Sequence, residues 1–539
     1  MLWRGWGDPA RAAPLPDDVR TLLRDLLGAG SGAEAAAAAS AAPEPDLHEV
    51  AVPPSRLSPT ALAALAAAVG DDAVRDDAET RIRHTRGKST PDLLRIRRGD
   101  ASGAPDAVVL PGSPDAVLAV LATCTEHRIA VVPFGGGTSV VGGLAPAVPG
   151  GPAGDRLPRA VIALDLRRLD RLVALDPVSR TATLEAGLRA PAAEALLRER
   201  GFTLGHFPQS YEWATIGGFA ATRSSGQASA GYGRFDDMVM GIAVATPRGP
   251  LELGRAPRSA AGPDLRQLIL GSEGAFGVIT AVTVLVRPAP ELATYEGWRF
   301  PSFAAGTAAL RALAQDGPLP TVLRLSDETE TLAGAAPPAG GGCLAVTGYE
   351  GTAADVAARR TAAGAVLGAA GGTPLGPEPG ERWARERYAA PYLRDALLDA
   401  GFFAETLETA TFWAGLPRLY DAVRSALTTT LAGAGTPPLV LCHISHVYPA
   451  GAALYFTVVA ADPGPAGWAA AKRAAGEAIL GAGGTISHHH GVGTDHLDWY
   501  AEEIGPLGAE VLRAVKDRLD PAGILNPGVL VSPTQESAR

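Results

Sequence analysis

The chain has 539 residues, a formal net charge of −10 and a pI near 5.6. This length accommodates two or three domains, and the acidic balance excludes the broad basic face that nucleic-acid binding requires. Its three cysteines are odd in number and widely spaced, which excludes a disulfide framework and a CxxC metal knuckle. No apolar run reaches the roughly 20 residues of a membrane span, and the first residues lack the order of a signal peptide. We therefore expect a soluble, cytoplasmic protein.

The first 100 residues are predicted to form a helical extension. Apolar residues at helical spacing indicate a helix in DDVRTLLRDLLG, and the serine cap and final glycine of SPTALAALAAAVG indicate a second helix. Between them, the stretch GAGSGAEAAAAASAAPEP from Gly28 to Pro45 is low in complexity and nearly free of large apolar residues. This composition predicts a linker or a loosely held helix.

Short apolar runs alternate with helical segments over residues 101–290. The runs DAVVLPG, IAVVPFGGG, AVIALDL and TATLEAG are typical of strands, whereas SPDAVLAVLATCTEHR and APAAEALLRERG are typical of helices. The region ends with the strand GVITAVTVLVRPAP, which two prolines stop. The alternation predicts an α/β or α+β domain.

A second α+β domain is predicted over residues 291–495. Its helices include SFAAGTAALRALAQDG, and its strands include CLAVTGYEG and AALYFTVVAAD. Residues 496–539 are predicted as a C-terminal helical segment, because GPLGAEVLRAVKDRLDPAGILNPG has the pattern of one amphipathic helix closed by Asp-Pro and Asn-Pro turns.

Three glycine-rich stretches are candidates for binding a ligand. VVPFGGGTSVVGG (Val131 to Gly143) follows an apolar strand, and its glycines allow successive backbone N–H groups to turn inward, which suits a pyrophosphate. A plain glycine-rich hairpin remains an alternative for this stretch alone. The second stretch, from Phe207 to Gly249, contains TIGGF and TRSSG, and the third, from Gly271 to Thr280, is GSEGAFGVIT.

In this order and spacing, the three stretches resemble the FAD-binding domain of the vanillyl-alcohol oxidase type. The resemblance implies an α+β protein in which a two-subdomain FAD-binding domain is joined to an α+β substrate (cap) domain. His48 and His84 precede the first stretch, and we expect neither to tether the flavin. The residues that the resemblance assigns to FAD binding are Pro133, Phe134, Gly135, Gly136, Gly137, Thr138, Ser139, Gln209, Ser210, Thr215, Gly217, Gly218, Thr222, Arg223, Ser224, Ser225, Glu273, Gly274, Gly277, Val278 and Ile279.

Further blocks resemble the alkyldihydroxyacetonephosphate synthase family. They are LWRGWG, IRHTRGKSTPDLLRIRRG, GYGRFDDMV, TVLRLSD, PYLRDALLDAGFFAETLET, CHISHVYPAGAALYF and SHHHGVG. The resemblance implies an FAD-dependent transferase of ether-lipid synthesis, which exchanges the acyl chain of acyl-dihydroxyacetone phosphate for a fatty alcohol. It also implies lipid substrates, peripheral membrane contact and a homodimer. The alternative is an FAD-linked oxidoreductase that acts on a 2-hydroxy acid or another alcohol.

The run His488, His489 and His490 is uncommon and lies between two glycine pairs. In an extended segment the middle imidazole would point away from the other two. A zinc site would therefore need further ligands, such as His446 or His496, or a set of two histidines with the carboxylate of Asp495, and we predict no metal. Proton chemistry is favoured over a structural role, and the resemblance implies that the three histidines take part in catalysis.

The resemblance also assigns roles to isolated residues. It implies that Arg394 binds the substrate phosphate, for which a planar guanidinium is apt, although a surface arginine is the simpler interpretation. Tyr455 is implied as the catalytic acid/base, with Tyr448 as a weaker competitor. Arg324 interrupts an apolar strand; it is predicted to be catalytic, with a structural ion pair to Asp327 as the alternative.

Overall fold

The computed structural model describes residues 1–27, 45–146, 160–334 and 340–531. The predicted Ala-rich linker lies outside the described residues except for its last proline. The longer helices are Asp17–Leu26, Pro59–Val69, Thr90–Arg97, Pro114–His127, Ala190–Arg198, Phe303–Asp316, Ala353–Ala369, Glu378–Glu386, Ala390–Asp399, Leu416–Gly433, Gly464–Gly481 and Leu497–Leu519. Shorter ones are Ala78–Arg83, Ile216–Thr222, Ser229–Tyr232, Phe235–Met238, Arg266–Ile269 and Glu328–Ala333.

The strands follow the predicted apolar runs. They are β1 (Val74–Arg75), β2 (Ala107–Val109), β3 (Ile129–Phe134), β4 (Ala160–Asp165), β5 (Leu172–Asp176), β6 (Thr181–Glu185), β7 (Phe202–Thr203), β8 (Val239–Thr246), β9 (Gly249–Leu253), β10 (Val278–Leu285), β11 (Arg287–Pro288), β12 (Leu292–Phe300), β13 (Val322–Ser326), β14 (Cys343–Gly351), β15 (Thr373–Gly376), β16 (Phe402–Phe412), β17 (Leu439–Val447) and β18 (Gly451–Ala461). The predicted mixture of helix and sheet is confirmed.

The first half of the chain forms two main sheets around a shared core. One sheet has the order β1-β2-β4-β3, in which β2, β4 and β3 run parallel, and the other is antiparallel with the order β5-β6-β10-β8-β9. Every residue of β4 is buried, as expected for a parallel strand that is covered on both faces.

The second half is built on one seven-stranded antiparallel sheet. Its order is β15-β12-β14-β13-β17-β18-β16, and helices including Phe303–Asp316, Leu416–Gly433 and Gly464–Gly481 pack on it to form a second hydrophobic core. β16 and β18 pair over their full length. The centre of this sheet therefore offers a rigid platform for side chains.

The C-terminal helix is longer than predicted and returns the chain to the first half. It spans Leu497–Leu519 and is kinked at Gly505, which has a non-helical backbone and is followed by Pro506. The part that begins at Pro506 is the amphipathic helix predicted from the sequence. Beyond it, Leu525 forms a parallel bridge with Val131 of β3. None of the helices in the described ranges is long and apolar enough to cross a membrane.

Asn526 fastens this returning segment. Its buried side-chain amide donates to the carbonyl oxygens of Gly143, at 3.0 Å, and Glu273, at 2.7 Å, and its backbone φ of 37° is left-handed.

We expect Asn526→Ala to lower the free energy of unfolding by about 2–4 kcal/mol, because two buried carbonyls lose their donors and alanine resists positive φ. Denaturant unfolding followed by tryptophan fluorescence measures the change. The exposed substitution Val178→Ala is the control, and equal midpoints for the two variants would contradict the assignment.

Candidate active site

A buried carboxylate, Glu408 of β16, shapes the triple-histidine segment. It accepts hydrogen bonds from the backbone N–H groups of His488 at 2.6 Å, His489 at 3.1 Å and His490 at 2.9 Å, and from the hydroxyl of Ser487 at 2.8 Å. The segment therefore bends around the carboxylate instead of extending. The expected alternation of imidazoles is wrong, because three consecutive N–H groups converge on one acceptor.

Burial and hydrogen bonding set the charges of this cluster. Burial opposes ionisation of Glu408, but the neighbouring imidazoles and the backbone N–H donors hold its pKa well below the usual range. Burial also lowers the pKa of His488 to about 4 and the pKa values of His489 and His490 below the usual value. At neutral pH the cluster thus holds one anionic carboxylate and three neutral imidazoles.

His446 of β17 extends the histidine cluster. Its Nδ1 lies 3.0 Å from the hydroxyl of Ser225 and 2.7 Å from that of Ser229, and its ring stacks on that of His488 at 5.0 Å. One nitrogen from each of His446, His488 and His489 lies within 4.8 Å of the others. A tetrahedral zinc ion holds its nitrogen ligands about 3.3 Å apart, a spacing that lies inside this limit.

The other ligands considered for a metal have different partners. Nδ1 of His496 lies 3.0 Å from the carbonyl oxygen of Gly491, and Asp495 pairs with Lys472 at 2.7 Å. The absence of a metal stays a prediction.

Tyr455 of β18 lies at the centre of the cluster. Strand register places it directly between Glu408 on β16 and His443 on β17. Its ring stacks on that of His443 at 4.8 Å and meets the ring of His490 edge-on at 5.7 Å, while the His489 ring lies at 6.1 Å. Burial raises the pKa of Tyr455 to about 12, so its hydroxyl carries a proton at neutral pH.

Arg324 reaches this cluster through another acid. Its Nη2 donates to Glu330 at 2.5 Å, and the other oxygen of Glu330 lies 2.9 Å from Nδ1 of His443. Burial opposes ionisation of Glu330, but His443 and Arg324 hold its pKa at about 2. The alternative ion pair with Asp327 is wrong, because that carboxylate caps the following helix and accepts from the backbone N–H of Glu330.

Tyr448 contacts the histidine run more directly than Tyr455 does. Its hydroxyl lies 2.6 Å from Nε2 of His488, and Nδ1 of His488 lies 3.0 Å from Nδ1 of His489. Burial raises the pKa of Tyr448 to about 12. Two tyrosines therefore flank the histidines, one through a hydrogen bond and one through ring contacts.

Arg394 is a partly buried residue and not a freely exposed surface arginine. Its side chain is 12% exposed, and it donates to the carbonyl oxygen of Lys88 at 2.6 Å and to Asp395 at 3.3 Å. Its Nε has no hydrogen-bond partner among the described residues. Although burial has the larger effect, the charge of Arg394 acts to lower the pKa values of Tyr455 and Glu405, which places the guanidinium within electrostatic reach of the tyrosine.

The predicted cofactor-binding stretches pack against one another. A Cβ on Gly135 would lie 2.4 Å from Oγ1 of Thr215, and one on Gly274 would lie 2.8 Å from the Pro133 ring. The backbone N–H of Glu273 donates to the carbonyl oxygen of Ala221 at 2.9 Å. The first, second and third stretches thus form one continuous surface in the first half of the chain.

This surface fits FAD. Only glycine fits at Gly135, Gly136 and Gly137, because an added Cβ would lie within 2.6 Å of neighbouring protein atoms, and the backbone N–H groups of such a glycine-rich stretch suit a pyrophosphate. In the same stretches, Nε2 of Gln209 and the hydroxyl of Ser272 are buried without a hydrogen-bond partner among the described residues. Buried polar atoms of this kind normally have a partner, and a bound cofactor can supply one.

Several polar side chains of the predicted cofactor set have protein partners. Glu273 accepts from the backbone N–H groups of Val492 at 2.8 Å and Gly493 at 3.0 Å. Burial raises the pKa of Glu273 to about 7. Arg223 pairs with Asp236 at 3.1 Å. Side chains that are engaged in this way leave mainly backbone groups for the cofactor.

His84 also has both ring nitrogens engaged. Nδ1 lies 2.7 Å from the carbonyl oxygen of Thr80, and Nε2 lies 2.8 Å from Asp165. This arrangement favours a flavin held without a covalent bond to His84, which stays a prediction.

Two cavities open beside the histidines. One has a volume of about 500 Å³ and is lined by His488, His489 and Arg234 among others. The second, of about 680 Å³, is an open and mainly apolar cleft that reaches Tyr448 and has Phe412 at its wall. The two cavities share lining residues on β16 and in the segment before the histidines.

Sequence reasoning missed the acids that organise the site. Glu408 and Glu330 were not singled out, and neither were His443 or Lys88. The available signal was the occurrence of ionisable residues inside apolar strand patterns, such as FFAETLETATF, because buried charges are rare without a partner.

Comparisons with known proteins identify the family and the fold. Residues 105–253 match the family described as "FAD binding domain", and residues 289–530 match "FAD linked oxidases, C-terminal domain". A solved p-cresol methylhydroxylase structure, 18% identical, covers 89% of this chain and 99% of its own with a TM-score of 0.67, which shows the fold alone.

The curated relatives are more specific. The chain is 31% identical to the alkyldihydroxyacetonephosphate synthase of Dictyostelium discoideum over 99% of this chain and 94% of the relative. It is 33% identical to that of Trypanosoma brucei brucei over 99% and 93%, respectively. A solved alkyldihydroxyacetonephosphate synthase structure, 29% identical, covers 98% of both chains with a TM-score of 0.80. The chain therefore belongs to the alkyldihydroxyacetonephosphate synthase family of FAD-linked oxidases.

Proposed function

We propose that this protein is an FAD-dependent transferase that exchanges the acyl chain of acyl-dihydroxyacetone phosphate for a long-chain alcohol. One observation carries the proposal: the ring of Tyr455 contacts those of His489 and His490, and the charge of Arg394 acts on the same tyrosine, in a chain of this family. The site thus combines a cation for a phosphate with proton-transfer groups.

Each residue of the site has a different role in the proposed reaction. Arg394 binds the phosphate with its planar fork of N–H donors. When bound to the glycine-rich surface, FAD would supply a ring system that can accept electron density reversibly. Tyr455 moves protons at that carbon and at the alcohol hydroxyl, and the anion of Glu408 keeps the histidine segment in place around it. The acyl group leaves as a carboxylate, the alcohol oxygen takes its bond to carbon, and the alcohol proton is released, so no net electron transfer occurs.

The apolar cleft beside Tyr448 suits the hydrocarbon chain. Apolar chains gain about 25 cal/mol per Å² on leaving water, and the cleft is lined largely by alanine, glycine and aromatic residues.

We further propose that the enzyme acts in the cytoplasm, as a homodimer in peripheral contact with membranes. Helix Asp17–Leu26 supports the contact, because Val19, Leu22 and Leu26 are exposed at helical spacing. The homodimer rests on the family resemblance alone.

A direct assay tests the activity. The protein should form alkyl-dihydroxyacetone phosphate from palmitoyl-dihydroxyacetone phosphate and hexadecanol and release palmitate. An FAD-linked D-lactate dehydrogenase of Arabidopsis thaliana, 27% identical over 80% of this chain, represents the competing oxidoreductase class. Reduction of a dye by 2-hydroxy acids, without ether formation, would favour that class instead.

The role of Arg394 predicts a selective loss of affinity for the phosphate-bearing substrate. Arg394→Lys should keep the flavin and raise KM for the phosphate-bearing substrate about ten- to a hundredfold, because a point ammonium cannot reproduce bidentate contacts. Steady-state kinetics at fixed alcohol concentration measure the effect. The control is Arg311→Lys in helix Phe303–Asp316, which makes the same arginine-to-lysine substitution outside the site. Unchanged kinetics would remove Arg394 from the site.

The acid/base assignment predicts different outcomes for the two tyrosines. Tyr455→Phe removes only the hydroxyl and should lower kcat by about 10²- to 10⁴-fold with little change in stability. Tyr448→Phe serves as the matched comparison and should lower kcat less than Tyr455→Phe does. Replacing His489 by Asn should lower kcat much less in the Tyr455→Phe background than in the wild type, because the effects of groups that act as a unit are not additive. Normal turnover of Tyr455→Phe, or additive losses, would exclude this assignment.

A further inference from the structure

The segment Leu2–Asp8, LWRGWGD, has no part in the proposed function, yet it is tightly packed. The backbone N–H of Leu2 donates to the carbonyl oxygen of Gly7 at 2.9 Å, which closes the segment into a loop, and Trp6 is only 4% exposed. A Cβ on Gly7 would lie 2.1 Å from the hydroxyl oxygen of Tyr392. The loop therefore lies directly against helix Ala390–Asp399, which carries Arg394.

The loop holds the first partner of Arg394. The carboxylate of Asp395 accepts from Nη2 of Arg394 through one oxygen, at 3.3 Å. Its other oxygen accepts from the backbone N–H of Trp6 at 2.5 Å. A carboxylate with both oxygens engaged has little freedom to rotate, so the loop fixes the direction in which Asp395 orients the guanidinium.

The loop also holds the second partner. Nη1 of Arg394 donates to the carbonyl oxygen of Lys88 at 2.6 Å, and the Lys88 ammonium donates to the carbonyl oxygens of Leu2 at 3.1 Å and Trp3 at 3.0 Å. The backbone N–H of Lys88 donates to Ser139 in the first glycine-rich stretch at 2.7 Å. Lys88 thus joins the loop, the candidate FAD surface and the phosphate-binding arginine.

We propose that the Leu2–Asp8 loop is a positioning element that presets the Arg394 guanidinium for the substrate phosphate. The proposal rests on the function proposed above. An arginine fork is effective only when its N–H groups already point at the phosphate oxygens, since orienting a long side chain during binding reduces affinity. The loop restrains Nη1 and Nη2 through Lys88 and Asp395.

Gly5→Ala tests the proposal with one methyl group. The added Cβ would lie 2.6 Å from the Asp395 oxygen that Trp6 holds, so the carboxylate must shift. We expect KM for acyl-dihydroxyacetone phosphate to rise about tenfold with kcat nearly unchanged, because small displacements of binding groups are costly. Flavin content should stay at the wild-type value, and Tm should fall only slightly, because the displaced carboxylate loses part of its hydrogen bonding. Gly368→Ala is the control, because its Cβ meets nothing within 4 Å.

Two further variants make the outcome decisive. Lys88→Met removes the ammonium that holds the loop and should reproduce the rise in KM. In the Arg394→Lys background, Gly5→Ala should raise KM little further, because the guanidinium fork that it misaligns is already absent.

The possible failures are distinguishable. If Arg394→Lys raises KM but neither Gly5→Ala nor Lys88→Met does, the positioning role is excluded and the proposed function stands. If Arg394→Lys leaves KM unchanged, the phosphate site itself is misassigned and the positioning role fails with it, whereas formation of alkyl-dihydroxyacetone phosphate in the direct assay decides the proposed function separately. Loss of flavin, Tm and kcat together in the Gly5→Ala and Lys88→Met variants would show that the loop is only a structural cover, which also overturns the positioning role.

Discussion

The candidate site depends on one buried carboxylate. Glu408 is 2% exposed, yet it is fully satisfied by backbone and hydroxyl donors from the segment that it holds. An ionised group in such a place is stable only with donors of this quality. The same bonds force three consecutive residues to turn around it. The unusual clustering of the imidazoles therefore follows from the position of one acid on β16.

The two halves of the chain meet at this point and hold each other in place. Ser225, from the second glycine-rich stretch, contacts His446 of the large sheet, while Glu273, from the third, holds the backbone of Val492 and Gly493. Arg234 of the first half also donates to the carbonyl oxygen of His488 at 2.9 Å. Cofactor surface and catalytic cluster are therefore parts of one hydrogen-bonded structure.

Much of the architecture could be predicted from the sequence because it is locally encoded. The serine at position 58 caps its helix and Gly70 ends it, and the apolar runs became strands. The site was predicted only in outline. The strand register that sets Tyr455 between Glu408 and His443, and the helical turn that presents Glu330 instead of Asp327 to Arg324, depend on tertiary packing, which no local pattern specifies.

The anchoring of the histidine run has a consequence for dissecting this protein. Its backbone is held by Glu408 from 80 residues earlier and by Glu273 from 219 residues earlier, whereas its own sequence is rich in glycine. A fragment that carries the second half alone would keep its sheet and its helical core but lose the second anchor. The same heptapeptide grafted into a protein without these two acids would lose both. The SHHHGVG motif is therefore a marker of the surrounding scaffold, and the chemistry does not travel with the peptide.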